Sequence, residues 1–228
     1  MSPRISRRGA VADSWQTGAV LTFKSYADSG WGSGNGTDAF KQVTGVSVAV
    51  GDVIVVMAAT EDTPTTINSV SDSVNTYTSR QNNTTSGNCA ARCWTAVAST
   101  ATTLTVQVNW SSNSSFVGFA VMVLGNAAYG TSAAETNTTE APSLSITTTK
   151  ANSIMCYIQA DWNAVDGASR TWRTVNVSAT ERAYFRDAAH YGIYVATWSD
   201  TGATGAKTPG LSAPSGQKTS SIAVEITT

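Results

Sequence analysis

His190 is the only histidine in the chain, so any serine or cysteine hydrolase built here would have to draw its base from it. No G-x-S-x-G elbow accompanies it; in the run GWGSGNG, Ser33 stands directly between two glycines with Trp31 two positions before it. A zinc centre needs three or four His/Cys ligands at tight spacing, and Cys89 and Cys93 have no matching second pair. On a straight strand those two cysteines would share a face roughly 13 Å apart, too far to bridge, so only a turn would let them pair. They read, with Cys156, as reduced thiols that behave as small hydrophobes. Glu61-Asp62 and Asp161 stand at matching ends of two similar stretches. They admit a glycosidase-type acid pair or a calcium site; solvated strand ends is the simpler reading. No D-x-D-x-D-G loop is present, and the glycines between 30 and 36 form no phosphate-cradling pattern. The expectation is a protein without catalytic residues, metal or cofactor.

Aromatic residues offer a different chemistry. Seven tryptophans include Trp31, Trp110, Trp162 and Trp172, all in or beside expected loops. Displayed at a rim, Trp31 and Trp172 would face a sugar; tucked in, they would plug the open ends of a sandwich, which is the preferred reading. The N-x-[ST] matches at Asn35, Asn83, Asn113, Asn137 and Asn176 are what chance supplies in so Ser/Thr-rich a chain.

The elements that must position these residues are strands. The stretch Gly51 to Asp62, GDVIVVMAATED, is apolar from Val53 to Val56 and rich in β-branched residues, as a buried central strand is. It recurs as ANSIMCYIQAD, residues 151–161, at a constant spacing of 100: Ile54 falls on Ile154, Val56 on Cys156, Glu61 on Asp161. Further strands are expected at 19–25, 43–50, 67–70, 75–80, 90–98, 104–110 and 116–124, then at 144–148, 153–160, 172–177, 181–185, 191–198 and 221–227. No 3.6-residue pattern persists long enough for a helix. The chain therefore reads as all-β, with similar halves at about 43–124 and 143–227 joined by an aperiodic linker, 125–142. The orphan strand at 19–25 and the lack of a Cys-Trp-Cys framework favour one two-sheet sandwich of jelly-roll type, residues 15–228, over two tandem immunoglobulin-like sandwiches.

Composition narrows the partners. The 228 residues carry a net charge of −1 and only 13% charged side chains, which argues against nucleic acid. No apolar run is long enough to span a membrane as a helix. Residues 1–14 read as a basic arm carrying Arg4, Arg7 and Arg8, with no apolar core of a secretory signal behind them, so synthesis in a cytoplasm is expected.

One pattern is familiar. An opening strand, the V-x-V-x-x-G-D turn into the organising strand, SDSVNTYT at Ser71 to Thr78, a W-x-A strand and an L-T-V strand together resemble β-sandwich virion proteins of tailed bacteriophages, of the capsid decoration or tail-associated type. The likeness covers roughly residues 17–228. It departs in the second half, where Lys150-Ala151-Asn152 replaces the Gly-Asp turn and no S-D-S recurs. The resemblance implies a structural protein of the virion, made in the host cytoplasm and seated on the capsid surface. In that role the expected partner is the major capsid protein and the expected state a homo-oligomer, a trimer by preference; residues 1–14, read either as a frayed terminus or as a segment docking on an acidic partner, would attach through Arg4, Arg7 and Arg8.

Overall fold

The computed structural model describes residues 19–32, 38–61, 65–84, 89–114, 116–137, 141 and 143–228. Within them the chain is all-β and every strand pairing is antiparallel. The first half runs β1 (Thr22–Asp28), β2 (Asp38–Val48), β3 (Val53–Thr60), β4 (Ile67–Ser71), β5 (Thr78–Thr84), β6 (Ala90–Val97), β7 (Thr102–Ser114) and β8 (Val117–Gly125). The second runs β9 (Ala128–Asn137), β10 (Ile146–Thr148), β11 (Ile154–Asp161), β12 (Thr171–Trp172), β13 (Thr180–Asp187), β14 (Tyr191–Trp198), β15 (Gly205–Lys207), β16 (Leu211–Ala213) and β17 (Thr219–Thr227).

These strands do not form the expected two-sheet jelly roll, nor a pair of tandem immunoglobulin-like sandwiches. They form five separate sheets: two five-stranded ones in the orders β1-β8-β3-β6-β5 and β13-β14-β11-β17-β9, one three-stranded (β2-β7-β4) and two ribbons (β10-β15 and β12-β16). The physical reason lies in β3, β8, β11, β14 and β17, which are buried at every position. A sheet of a simple sandwich buries one face and reads as an alternation; strands apolar on both faces demand a layer on either side. Val53, Val55 and Met57 meet Ile154, Cys156 and Ile158 in a core between the two large sheets. Ile54, Val56 and Ala58 face the other way, against Val106, Val108 and Trp110 of the three-stranded sheet. Met155, Tyr157 and Trp198 likewise face outward, under Leu144, Ile146 and Trp172.

The two large sheets have the same strand order once β3 is set on β11, β6 on β14, β8 on β17, β5 on β13 and β1 on β9. The spacing of 100 read from the sequence is nonetheless one residue short. Ile54 points to the outer layer whereas Ile154 points to the central core, so the true counterpart of Ile154 is Val53. A one-residue slip exchanges the faces of a strand. The register agrees: Val53 pairs with Leu124 and Ile154 with Ile226, and all four lie in the central core.

The Gly-Asp turn of the first half is kept in the second by other residues. Gly51 has φ +84°, and Asn152 takes the same left-handed region at +56°, which asparagine tolerates better than most side chains. Gly51 N–H donates to Ala98 O at 2.9 Å and Asn152 N–H to Gly202 O at 2.8 Å. The passage read as a linker holds β9, which pairs with β17 from Thr219↔Asn137 to Thr227↔Ala128. Its Ser, Thr and Ala side chains sit at the rim of a sheet, where periodicity is weak.

Candidate functional site

The residues singled out for chemistry are placed apart and occupied. His190 closes the turn after β13, where its ring stacks on Phe116 with centroids 4.1 Å apart and its Nδ1 lies 3.1 Å from Asp187 Oδ1. The Asp187 carboxyl is held below its ordinary range, first by the backbone N–H of Ala189 and then by the imidazole. Cys89, Cys93 and Cys156 are free and buried. Burial pushes the Cys93 thiol well up and the Cys156 thiol up to about 12, which makes both inert as nucleophiles at neutral pH. Among the described residues no group of three or more His, Cys, Asp or Glu side chains could hold a metal.

Asp161 is wholly buried at the end of β11, and its carboxylate accepts the backbone N–H groups of Asn163 (3.0 Å), Val165 (3.0 Å) and Lys218 (3.1 Å). It shapes a turn and ties it to the start of β17. The register sets Thr60, not Glu61, against it: Thr60 pairs with Ala90 and Val117 as Asp161 pairs with Gly192 and Thr219. Glu61 is half-buried, with its N–H on Phe116 O, and Asp62 lies outside the described residues.

Desolvation outweighs the three N–H groups and raises the Asp161 carboxyl to about 6. The folded protein therefore holds this proton more tightly than the unfolded chain does. Its contribution to stability is complete below about pH 4 and fades as pH rises through 6, by about 3 kcal/mol in all. Urea titrations of the parent and of Asp161→Asn from about pH 3.5 to about pH 7, which spans the window the shift defines, check this. The parent's midpoint should fall toward neutral pH and the variant's should stay flatter; parallel curves would exclude Asp161 as the titrating group.

Trp31 and Trp172 lie on opposite faces of the β13-β14-β11-β17-β9 sheet and make no common platform. Trp31 is half-buried beside Gly118, where a Cβ would come within 2.4 Å of its ring. Trp172 meets Tyr157, Tyr194 and Trp198 edge-on at 5.9–6.5 Å, and its Nε1–H donates to Glu181 at 2.9 Å. Arg4, Arg7 and Arg8 lie outside the described residues.

The SDSVNTYT motif is a folded turn. Asp72 accepts the N–H groups of Val74 and Asn75, the Asn75 amide and the Tyr77 hydroxyl, all at 2.7–2.9 Å. Asn75 Oδ1 in turn accepts the N–H of Ser99 at 3.0 Å, locking the β4–β5 connection to the turn after β6. The hydrogen bonds from Asn75 and Tyr77 hold the Asp72 carboxyl below its usual range against the burial that would raise it.

Beside this motif opens a cleft of about 440 Å³, lined by Val74, Asn75, Arg80, Thr95, Val97, Ser99 and Tyr129 among others. Among the described residues no carboxylate lines it. Arg80 is the extra residue of a bulge in β5, between Ser79 and Gln81. A bulge re-aims its side chain: Arg80 Nε–H donates to Thr95 Oγ1 at 2.7 Å, and the guanidinium lies 3.7 Å over the ring of Tyr129 on β9. Sequence reasoning missed Arg80, because nothing in the sequence marks a bulge inside a short polar strand. The same device appears in the other half. Arg182, the extra residue of β13 between Glu181 and Ala183, donates to Thr197 Oγ1 at 2.9 Å and lies 3.9 Å over Phe23 of β1. Each arginine thus staples an edge of one large sheet to the facing edge of the other. Against known proteins the chain matches no family model, no curated protein and no solved structure.

Proposed function

We propose that this chain is a structural virion protein of a tailed bacteriophage, a decoration protein bound to the outer surface of the head through the major capsid protein. The observation that carries the reading is the motif set on which the resemblance rests. The Gly51-Asp52 turn and SDSVNTYT are architectural, with Asp72 and Asn75 spent on turn geometry rather than on a substrate. The candidates for catalysis are occupied in the same way, Asp161 by three backbone N–H groups and His190 by Phe116 and Asp187. A stacked slab of sheets with structural polar groups suits a part that must persist on a particle. The arm at residues 1–14 holds it there: Arg4, Arg7 and Arg8 form charge-assisted pairs with shell carboxylates, and a trimer at a local threefold multiplies modest contacts through effective concentration.

A carbohydrate-binding role is the second reading. It is favoured by the outer face of the β2-β7-β4 sheet, where half-exposed Phe40 neighbours an amide ladder. Gln42 donates to Gln107 and Gln107 to Asn109, each at 2.7 Å, and Asn109 donates to Ser69 at 3.2 Å.

A chain lacking residues 1–14, mixed with particles stripped of the protein, tests the first reading. It should melt at the parent's temperature yet bind heads several-fold more weakly, and the parent's attachment should weaken with salt. Undiminished binding removes the arm from the mechanism. Binding of the intact chain to tails moves it there, and binding to neutral polysaccharide but to no part of the particle favours the second reading.

A further inference from the structure

Arg80 and Arg182 are one staple built twice, but their surroundings have diverged. Asn75 reaches Ser99 in the turn after β6, and its counterpart Asn176 reaches Asp200 in the turn after β14, its amide donating to the carboxylate at 3.0 Å. The second half thus carries an anion beside its asparagine, whereas Asn75 accepts only the backbone N–H and the hydroxyl of Ser99. The apolar rim differs as well. Val74 is 45% and Val97 61% exposed, two of the few large hydrophobic side chains left in solvent, and both line the Arg80 cleft. Val175, which follows the same Val-Asn pattern as Val74, is instead packed on the outer core of the second half. Staple geometry uses only Arg80 Nε and the face of its guanidinium. Its two Nη groups donate to nothing among the described residues. A planar fork of unengaged donors, held rigid by a stack and a hydrogen bond, matches a carboxylate in two-point geometry.

We propose that the Arg80 cleft binds a carboxylate carried on a protein segment, an Asp or Glu side chain with a small apolar neighbour. The Nη edge takes the carboxylate, and Val74 and Val97 take the neighbour. Charge complementarity decides the class: among the described residues the lining carries one cation and no acid, and its exposed valines suit a peptide better than a bare ion. That the segment belongs to the shell rests on the virion reading; that the cleft takes a carboxylate does not.

Arg80→Ala would remove the staple along with the site, so the informative variant is Ser99→Asp. It places a carboxylate on the cleft's own lining, leaves Thr95 and Tyr129 in place, and supplies the cleft with an internal anion. The probe is N-acetyl-Val-Glu-amide, titrated by NMR while following the Val74 and Val97 methyls and the Arg80 Nε–H. The parent should saturate in the millimolar range. The Val-Gln-amide analogue should bind at least about tenfold more weakly, and Ser99→Asp should lose a similar factor without a change in melting temperature. Equal binding of the glutamate and glutamine probes, equal binding by Ser99→Asp, or preference for inorganic phosphate over the glutamate probe would each overturn the proposal. Attachment to stripped particles, measured on the same variant, reports on the virion reading instead, so the two fail separately.

Discussion

Glu225→Ala is expected to cost about 3–5 kcal/mol, much of the margin of an ordinary domain. Glu225 lies on β17, wholly buried at the junction with the turn that precedes β11. Its carboxylate accepts the N–H of Thr149 at 2.9 Å, the Thr149 hydroxyl at 2.8 Å, the N–H of Lys150 at 3.1 Å and the Ser153 hydroxyl at 2.8 Å. Alanine would leave these donors facing a hole, and each buried donor without an acceptor costs about 1–3 kcal/mol. Gly130 is part of the arrangement: a Cβ there would lie 2.5 Å from Glu225 Oε2, so only glycine lets the carboxylate pass. Glu225→Gln keeps one acceptor oxygen and turns an amide toward the other donors, so a loss about half as large is expected. Urea midpoints of the three proteins check the ordering. A loss below about 1 kcal/mol for the alanine variant would mean that water replaces the carboxylate at no cost.

Ile158→Ala is expected to cost about 2–5 kcal/mol, the range for truncating a fully buried aliphatic side chain. Ile158 sits in the central core with Val55, Met57 and Cys93 of the other half. The cavity therefore opens between the halves and not inside one of them. Unfolding should remain a single transition, shifted to lower urea, and amides of β3 and β11 should lose protection from hydrogen exchange together. A variant in which β3 keeps the parent's protection while β11 loses it would show that the halves fold independently.

The all-β character was legible, though the two-sheet jelly roll was not the architecture. β3, β6, β7, β8, β11, β14 and β17 fall where apolar runs place them, because long buried strands have strong patterns. The number of layers was legible too, but in a feature that suggests something else at first sight. The unbroken apolar run of β3 marks a central strand, and it also says that both faces are covered. Aligning Ile54 with Ile154 matched residue types and inverted the faces, since pattern alone does not fix register in a strand apolar on both sides. β9 was missed because its Ala, Ser and Thr residues carry little hydrophobic signal and its pairing comes entirely from β17. The role of Asn152 could have been read: asparagine is the usual substitute for a left-handed glycine. Arg80 and Arg182 could not, for a bulge is a property of two strands in register.

Register breaks are distributed in the large sheets according to a rule. The pairings of β3 with β6 and β8, and of β11 with β14 and β17, run without interruption, while every pairing that involves an outer strand is broken once. The residues expelled at three of the four breaks are cations: Lys24, which reaches Asp52 at 2.6 Å, Arg80 and Arg182. A long straight rim is a template on which a further chain can lay down a strand, and kinks and positive charges are what remove it. None of the four rims offers another copy an unbroken ladder. Among the described residues, molecules held shoulder to shoulder therefore find no straight rim on either large sheet along which to add a strand.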